Sequence, residues 1–150
     1  MKNTELAYVG ALMDGEGSVG CQVRNYIRKD KSTVLRIDPH IDIMSSVSFP
    51  HISRVQEMVD FSTRLTKKSR SKLNKNWKDV WTLSVGAEQK NITEFIKTVR
   101  PYLRLKGERL DVAEKIILKI DVEENNNLLA KLNQRGIIRS SKRKVLKRKS

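Results

Sequence analysis

The sequence predicts an α+β fold, an antiparallel sheet with helices packed on one of its faces. Three observations carry that prediction. Apolar residues recur at helical spacing in some segments and at every second position in others. The alternating segments come in two pairs, each joined by a polar turn, as antiparallel hairpins are. Helical segments precede, separate and follow those pairs, so the order is α-β-β-α-β-β-α-α.

Each element has its own signal. Glu5 to Asp14 reads as a helix with Asn3 or Thr4 as its N-cap. Leu6, Val9, Leu12 and Met13 give it an apolar face, and Ala7, Gly10, Ala11 and Asp14 a stripe of small residues. Gly15 and Gly17 are expected to stop it by adopting backbone angles other residues avoid. From Val19 to Lys29 the chain alternates, with Val19, Cys21, Val23 and Ile27 opposite Gln22, Arg24, Tyr26 and Arg28. A turn at Asp30-Lys31-Ser32 leads to a second strand, about Thr33 to Met44. There Leu35, Ile37, Ile41 and Ile43 oppose Arg36, Asp38, His40 and Asp42.

A second helix, carrying Ile52, Val55, Met58 and Val59, begins near Ser48 to Pro50. Thr63 to Ser71 and Trp77 to Gly86 form the second strand pair around a basic turn. Ile92, Phe95, Ile96 and Val99 mark a third helix that Pro101 ends. Leu110, Ala113, Ile116, Ile117 and Ile120 mark a fourth. Asn125 to Gln134 reads as a short fifth, closed by Gly136. Residues 1–137 make one domain. Residues 138–150 make a basic tail, since Arg139 to Ser150 holds seven basic residues and no acidic one.

Charge narrows the partners. The 150 residues carry 31 basic and 17 acidic side chains, a formal net charge of +14. Such a surplus favours a polyanion. No apolar run approaches the roughly 18–20 residues of a membrane span, and no signal-peptide pattern opens the chain. One cysteine, Cys21, permits no internal disulfide and suits a reducing, intracellular compartment; it reads as a small strand residue rather than a catalytic thiol. With one Cys there is no zinc spacing. Gly15-Glu16-Gly17-Ser18-Val19-Gly20 is too irregular for a phosphate loop, and no Ser-His-Asp order is present. The aromatic residues Phe61, Trp77, Trp81 and Phe95 read as core or sheet packing rather than base-stacking platforms.

The segment Val9-Gly10-Ala11-Leu12-Met13-Asp14-Gly15-Glu16-Gly17, extended by Tyr8, Ser18 and Val19, resembles the signature of the LAGLIDADG homing endonucleases. Gly10 and Ala11 reverse the usual small pair, and Glu16 replaces the commoner Asp; small stays small and carboxylate stays carboxylate. Pro101-Tyr102-Leu103-Arg104-Leu105-Lys106 is similar to the run that, in single-motif members, brings a lysine to the active site. The two segments frame roughly residues 5–120. The resemblance implies the αββαββα fold of that family, a saddle-shaped sheet with helices on one face. It also implies an intron-encoded type of homodimeric enzyme that cuts double-stranded DNA with Mg²⁺.

In that reading Glu16 is catalytic and, with the Gly15 backbone, holds the metal. Two carboxylates brought together in a dimer repel unless a cation neutralises them. Mg²⁺ suits oxygen ligands and phosphate. Lys106 adds positive charge beside the scissile phosphate or orients the attacking water. Met44, Ser45, Ser46, His51 and Arg54 lie where the second strand meets the next helix, and of these Ser46 and Arg54 are the candidates that complete the site. Ala7, Gly10, Ala11 and Asp14 form the dimer interface, because small residues let helices approach closely. Asp14 is expected to bind backbone N–H groups rather than metal.

Target contacts fall to Gln22, Arg24, Tyr26 and Arg28, to Arg36, Asp38 and His40, to Arg64, Lys68 and Arg70, and to Lys78, with Lys142 and Arg143 of the tail on phosphates. Arg suits guanine, Gln adenine and Asp cytosine in the major groove. A symmetric dimer implies a long, nearly palindromic site. Two rival readings stand beside the endonuclease. One is an intron maturase or DNA-binding regulator that keeps the fold without cutting. The other is a basic ribosomal protein, which leaves the Asp-Gly-Glu-Gly turn unexplained.

Overall fold

The computed structural model describes residues 1–134. The expected tail, with Lys142 and Arg143, lies outside the described residues. Helix α1 (Asn3–Glu16) is capped at Lys2, whose backbone N–H donates to the Glu5 carboxylate at 2.8 Å. Asn3 and Thr4, the two expected caps, are both inside the helix, and the Asn3 side chain accepts a hydrogen bond from the Tyr102 hydroxyl at 3.2 Å.

The expectation for the two glycines is corrected. Gly15 continues the helix, and no glycine of the described residues has a positive φ. Gly17 is extended, at φ −76°. Space is what it provides: a Cβ there would sit 2.6 Å from the Asp42 carbonyl and 2.7 Å from that of Met13.

Four strands follow: β1 (Ser18–Ile27), β2 (Thr33–Ser46), β3 (Thr63–Lys68) and β4 (Val80–Val85). They pair antiparallel in the order β1-β2-β4-β3. Helix α2 (Phe49–Met58), with Pro50 in its first turn where no intrahelical donor is needed, joins the two hairpins. A bulge between Asp42 and Met44 shifts the register of β2 against β4.

The second hairpin is shorter than the alternation predicts. Its strands stop at Lys68 and restart at Val80, and residues 69–79 form a loop. Asp79 is the reason. Its carboxylate accepts the backbone N–H groups of Arg70 and Ser71, at 2.9 and 3.3 Å, and the Ser69 and Ser71 hydroxyls. A side chain that satisfies backbone donors this way competes with the strand ladder.

Helix α3 (Gln89–Val99), a single 3₁₀ turn at Arg100–Tyr102 and helix α4 (Gly107–Ile117) complete the framed region. The last helix, α5, covers 122–134, starting three residues before the expected Asn125. All five helices contribute to one core on one sheet face. Val19, Ile41, Ile43, Leu83 and Val85 of the sheet meet Val9 and Met13 of α1, Ile52 of α2, Phe95 of α3, Leu110 of α4 and Leu129 of α5. Phe95 packs edge-on to Phe61, with centroids 4.9 Å apart. Burial of each such side chain contributes about 1.5–3 kcal/mol.

Trp81 also packs as expected, half-buried at 4.7 Å from the Phe49 ring. Trp77 does not. It lies in the 69–79 loop, 52% exposed, because the strand expected to carry it inward has not yet begun. No helix among the described residues is long and apolar enough to cross a membrane.

Candidate functional site

The C-terminal end of α1 is fastened to the segment between the 3₁₀ turn and α4. Asp14 accepts three consecutive backbone N–H groups, from Arg104 at 2.8 Å, Leu105 at 3.1 Å and Lys106 at 3.0 Å. Partial burial works against its charge, but these donors and the Lys106 ammonium hold the carboxyl below its ordinary range. In return, Lys106 Nζ donates to the Met13 carbonyl at 3.0 Å and to that of Gly17. An ammonium there satisfies last-turn carbonyls and faces the negative end of the helix dipole. Burial, then the nearby Arg109, pulls the Lys106 pKa down, while Asp14 opposes them.

The junction is braced from behind. Arg100 lies against Gly107, where any Cβ would collide with its guanidinium, and forms a two-pronged pair with Asp111 at 2.9 and 3.0 Å. Gly10 serves the same packing: a Cβ on it would lie 2.8 Å from the Tyr102 carbonyl. Gly10 is therefore buried within its own chain. Ala7, Ala11 and Gly15 are exposed on another side of α1, together with Thr4 and Tyr8. Tyr8 is tied to His51 of α2 by a 2.9 Å hydrogen bond from its hydroxyl oxygen to Nε2.

Glu16 ends α1 exposed, beside the clamped Gly17. Directly below runs one cross-sheet row, Ser18, Asp42, Ser84 and Arg64. Asp42 accepts the hydroxyls of Ser18 and Ser84, at 3.0 and 2.6 Å, and lies 3.5 Å from His40. Its place at the foot of the Glu16 turn depends on strand register, which the sequence alone left free to slide.

Ser46 and Arg54 are not brought to this turn. Ser46 points to the α2 entry, where its Oγ accepts the Ser48 N–H at 3.0 Å. Arg54 is on the exposed side of α2. Past the bulge it is Ser45 that shares the polar face, bonded to Thr82 at 3.0 Å.

The sheet face away from the helices gathers most of the expected contact residues. Gln22 pairs across from Asp38, Arg24 from Arg36, and Tyr26 from Val34, with His40 opposite Gly20. On the other hairpin, Arg64 and Lys68 of β3 share that face. Its carboxylates are engaged, Asp38 with Arg36 at 3.2 Å and Asp42 with the two serines. The exposed balance is therefore basic. Arg28, Arg70 and Lys78 lie just beyond the strand ends.

Comparison with solved structures is decisive for the architecture. The archaeal intron-encoded homing endonuclease I-Vdi141I, complexed with DNA, matches at a TM-score of 0.63 and 14% identity, over 88% of this chain and 86% of that one. I-CvuI, with the I-CreI target in 2 mM magnesium and the DNA uncleaved, matches at 0.57 and 15% identity, over 87% and 81%. I-CeuI, complexed with DNA, matches at 0.58 and 14% identity, over 78% of this chain and 55% of that one. The fold is that of the homing endonucleases. No family model and no curated protein matches the sequence itself.

Within this homing-endonuclease fold the oxygen donors at the α1 end are the Glu16 carboxylate and the Gly15 backbone. Among the described residues no three of Asp, Glu, His or Cys gather into a metal cluster. An all-oxygen, incomplete donor set fits a hard cation that keeps waters and shares ligands with phosphate. Burial pushes the Cys21 thiol up to about 11, which keeps it protonated near neutral pH.

Proposed function

We propose that the chain is a site-specific homing endonuclease of the single-motif LAGLIDADG type. It works as a homodimer that cuts both strands of a long, nearly palindromic DNA site by divalent-cation-dependent phosphodiester hydrolysis. The observation that carries this reading is the Asp14 clasp. Three backbone donors from a segment ninety residues away fix the end of α1, whose next carboxylate, Glu16, is exposed where the chain enters β1. Likeness to endonucleases solved with DNA supports the substrate.

The roles follow from chemistry. Glu16, with the Gly15 backbone, holds the cation, which when bound supplies charge neutralisation and a more acidic water. Lys106 fixes the Gly17 turn and keeps a positive charge beside the scissile phosphate. The stripe Ala7, Ala11 and Gly15 meets its copy on a two-fold axis and brings the two Glu16 side chains together. Gln22, Arg24, Tyr26, Arg36, Asp38, His40 and Arg64 read base edges, and Arg28, Lys68, Arg70 and Lys78 hold phosphates.

The test is cleavage of a randomised duplex library with Mg²⁺. Discrete double-strand breaks are expected from the wild type. Glu16→Gln should still bind the selected site and lose cutting by about a hundredfold or more. A Glu16→Gln protein that cuts at the wild-type rate would remove the site assignment.

A further inference from the structure

A tryptophan left half in water on a loop is costly unless something covers it. Trp77 is 52% exposed, its neighbour in the fold Val47 is 55% exposed, and Leu73 is 75% exposed. With Lys68, Arg70 and Lys78 they line a recess of about 500 Å³ at the end of the second hairpin. The loop is built rather than loose. Trp77 N–H donates to the Asn74 carbonyl at 3.0 Å, and the Asn74 side chain accepts from Asn76 N–H at 3.0 Å. Asp79 anchors the other limb, its carboxyl drawn down to about 2 by the Ser71 and Arg70 backbone donors against a small burial effect.

Charge narrows the occupant. Residues 69–79 contain four cations, Arg70, Lys72, Lys75 and Lys78, and one acid. That acid, Asp79, is spent on the loop's own donors and on Lys67 at 3.3 Å. The surface offered outward is an aromatic ring among unpaired cations. An acidic peptide would use the cations and leave the ring idle. A DNA duplex presents groove edges and phosphates, while its base faces are stacked on one another. A tryptophan ring finds a free π-face only on an unpaired base.

We propose that this recess is a subsite for an unpaired nucleotide, whose base stacks on Trp77 while Lys68, Arg70 and Lys78 take the flanking phosphates. From the Ser18–Asp42–Ser84–Arg64 row, β1 and β2 run one way to their turn, and β4 and β3 run the opposite way to this loop. The subsite is therefore separate from the far β1–β2 hairpin. It rests on the reading of the chain as a nucleic-acid protein and not on cutting.

The full-length Trp81→Phe protein leaves Trp77 as the sole indole emitter, and phenylalanine keeps the stack on Phe49. Titration with a short oligothymidylate should quench Trp77 emission. Adding Trp77→Ala, followed by anisotropy of the labelled oligomer, should weaken binding about tenfold, whereas Trp77→Phe retains most of it. Duplex affinity should move much less. A parallel titration with oligouridylate shows whether the sugar matters; loss on either strand type upholds the subsite. Absence of quenching, or equal loss on duplex and single strand, overturns it. A protein that quenches but cuts no duplex keeps the subsite and loses the endonuclease reading; one that cuts but does not quench does the reverse.

Discussion

Asp14 shows how one side chain links sequence to site. A carboxylate has acceptor capacity for several donors, and here it takes three successive backbone N–H groups. Asparagine keeps one acceptor oxygen and loses the charge. Asp14→Asn should therefore cost about 1–2 kcal/mol, a figure reduced by the solvent that reaches the site. The sign of its pH dependence is fixed. The folded-state pKa lies below the ordinary 3.8, so the contribution is present above that value and is lost as pH falls through the lowered one. Thermal unfolding should separate the two proteins at neutral pH and bring them together in acid, below the lowered Asp14 pKa. A gap that persists in acid would mean the donors do not depend on the charge. This role was legible from the sequence only in kind. An Asp at a helix end suggests backbone N–H partners, but the segment that supplies them is set by tertiary folding.

At the scale of elements, helix α1 has two different small-residue sides. Gly10 makes room for Tyr102, and Ala7 and Ala11 leave a smooth exposed stripe. Gly10→Ala should destabilise the isolated chain by about 1–3 kcal/mol, as overpacking does. Ala11→Glu should leave that stability within about 0.5 kcal/mol and abolish pairing of two copies, read by sedimentation. If Ala11→Glu sediments as the wild type does, the stripe is not the seam.

Periodicity revealed most elements correctly because their faces are strongly sided. α1 carries Leu6, Val9 and Met13 inward, and the first hairpin buries Val19, Ile41 and Ile43 near α1, while Ile27 and Leu35, expected inward, are exposed toward its far end. The second hairpin was overextended because alternation continues through Arg70 and Lys78, while Asp79 redirects the backbone. The sequence cannot choose between Ser45 and Ser46 for the polar face, because the bulge that decides it leaves no mark on composition. The exposure of Trp77 was hidden for the same reason as the loop.

For the whole molecule, the governing fact is a net charge of +14, of which residues 139–150 carry seven, with a further basic surplus on the sheet face opposite the helices. Binding to duplex DNA should weaken steeply with salt as condensed counterions are released. Arg64→Ala, at the edge strand, should cost about 1–3 kcal/mol of binding and relax base preference at one position. An unchanged base preference would mean that Arg64 reads no base. The overall architecture was the most legible level, since the order of hairpins and helices follows from pattern alone. Pairing order was not, because hydrophobic alternation says which face a strand buries and not which neighbour it chooses.

The clasp between Asp14 and residues 104–106 has a consequence for the newborn chain. These partners lie ninety or more positions apart, so the contact is among the most non-local in the fold. Non-local contacts form late, after loop closure has been achieved elsewhere. During synthesis the motif helix leaves the ribosome long before the segment that fixes its end. A fragment broken off before Arg104 would carry Glu16 without the three donors that fix the end of its helix. If the proposed cleavage depends on that turn, such a truncated product should bind metal and DNA without cutting.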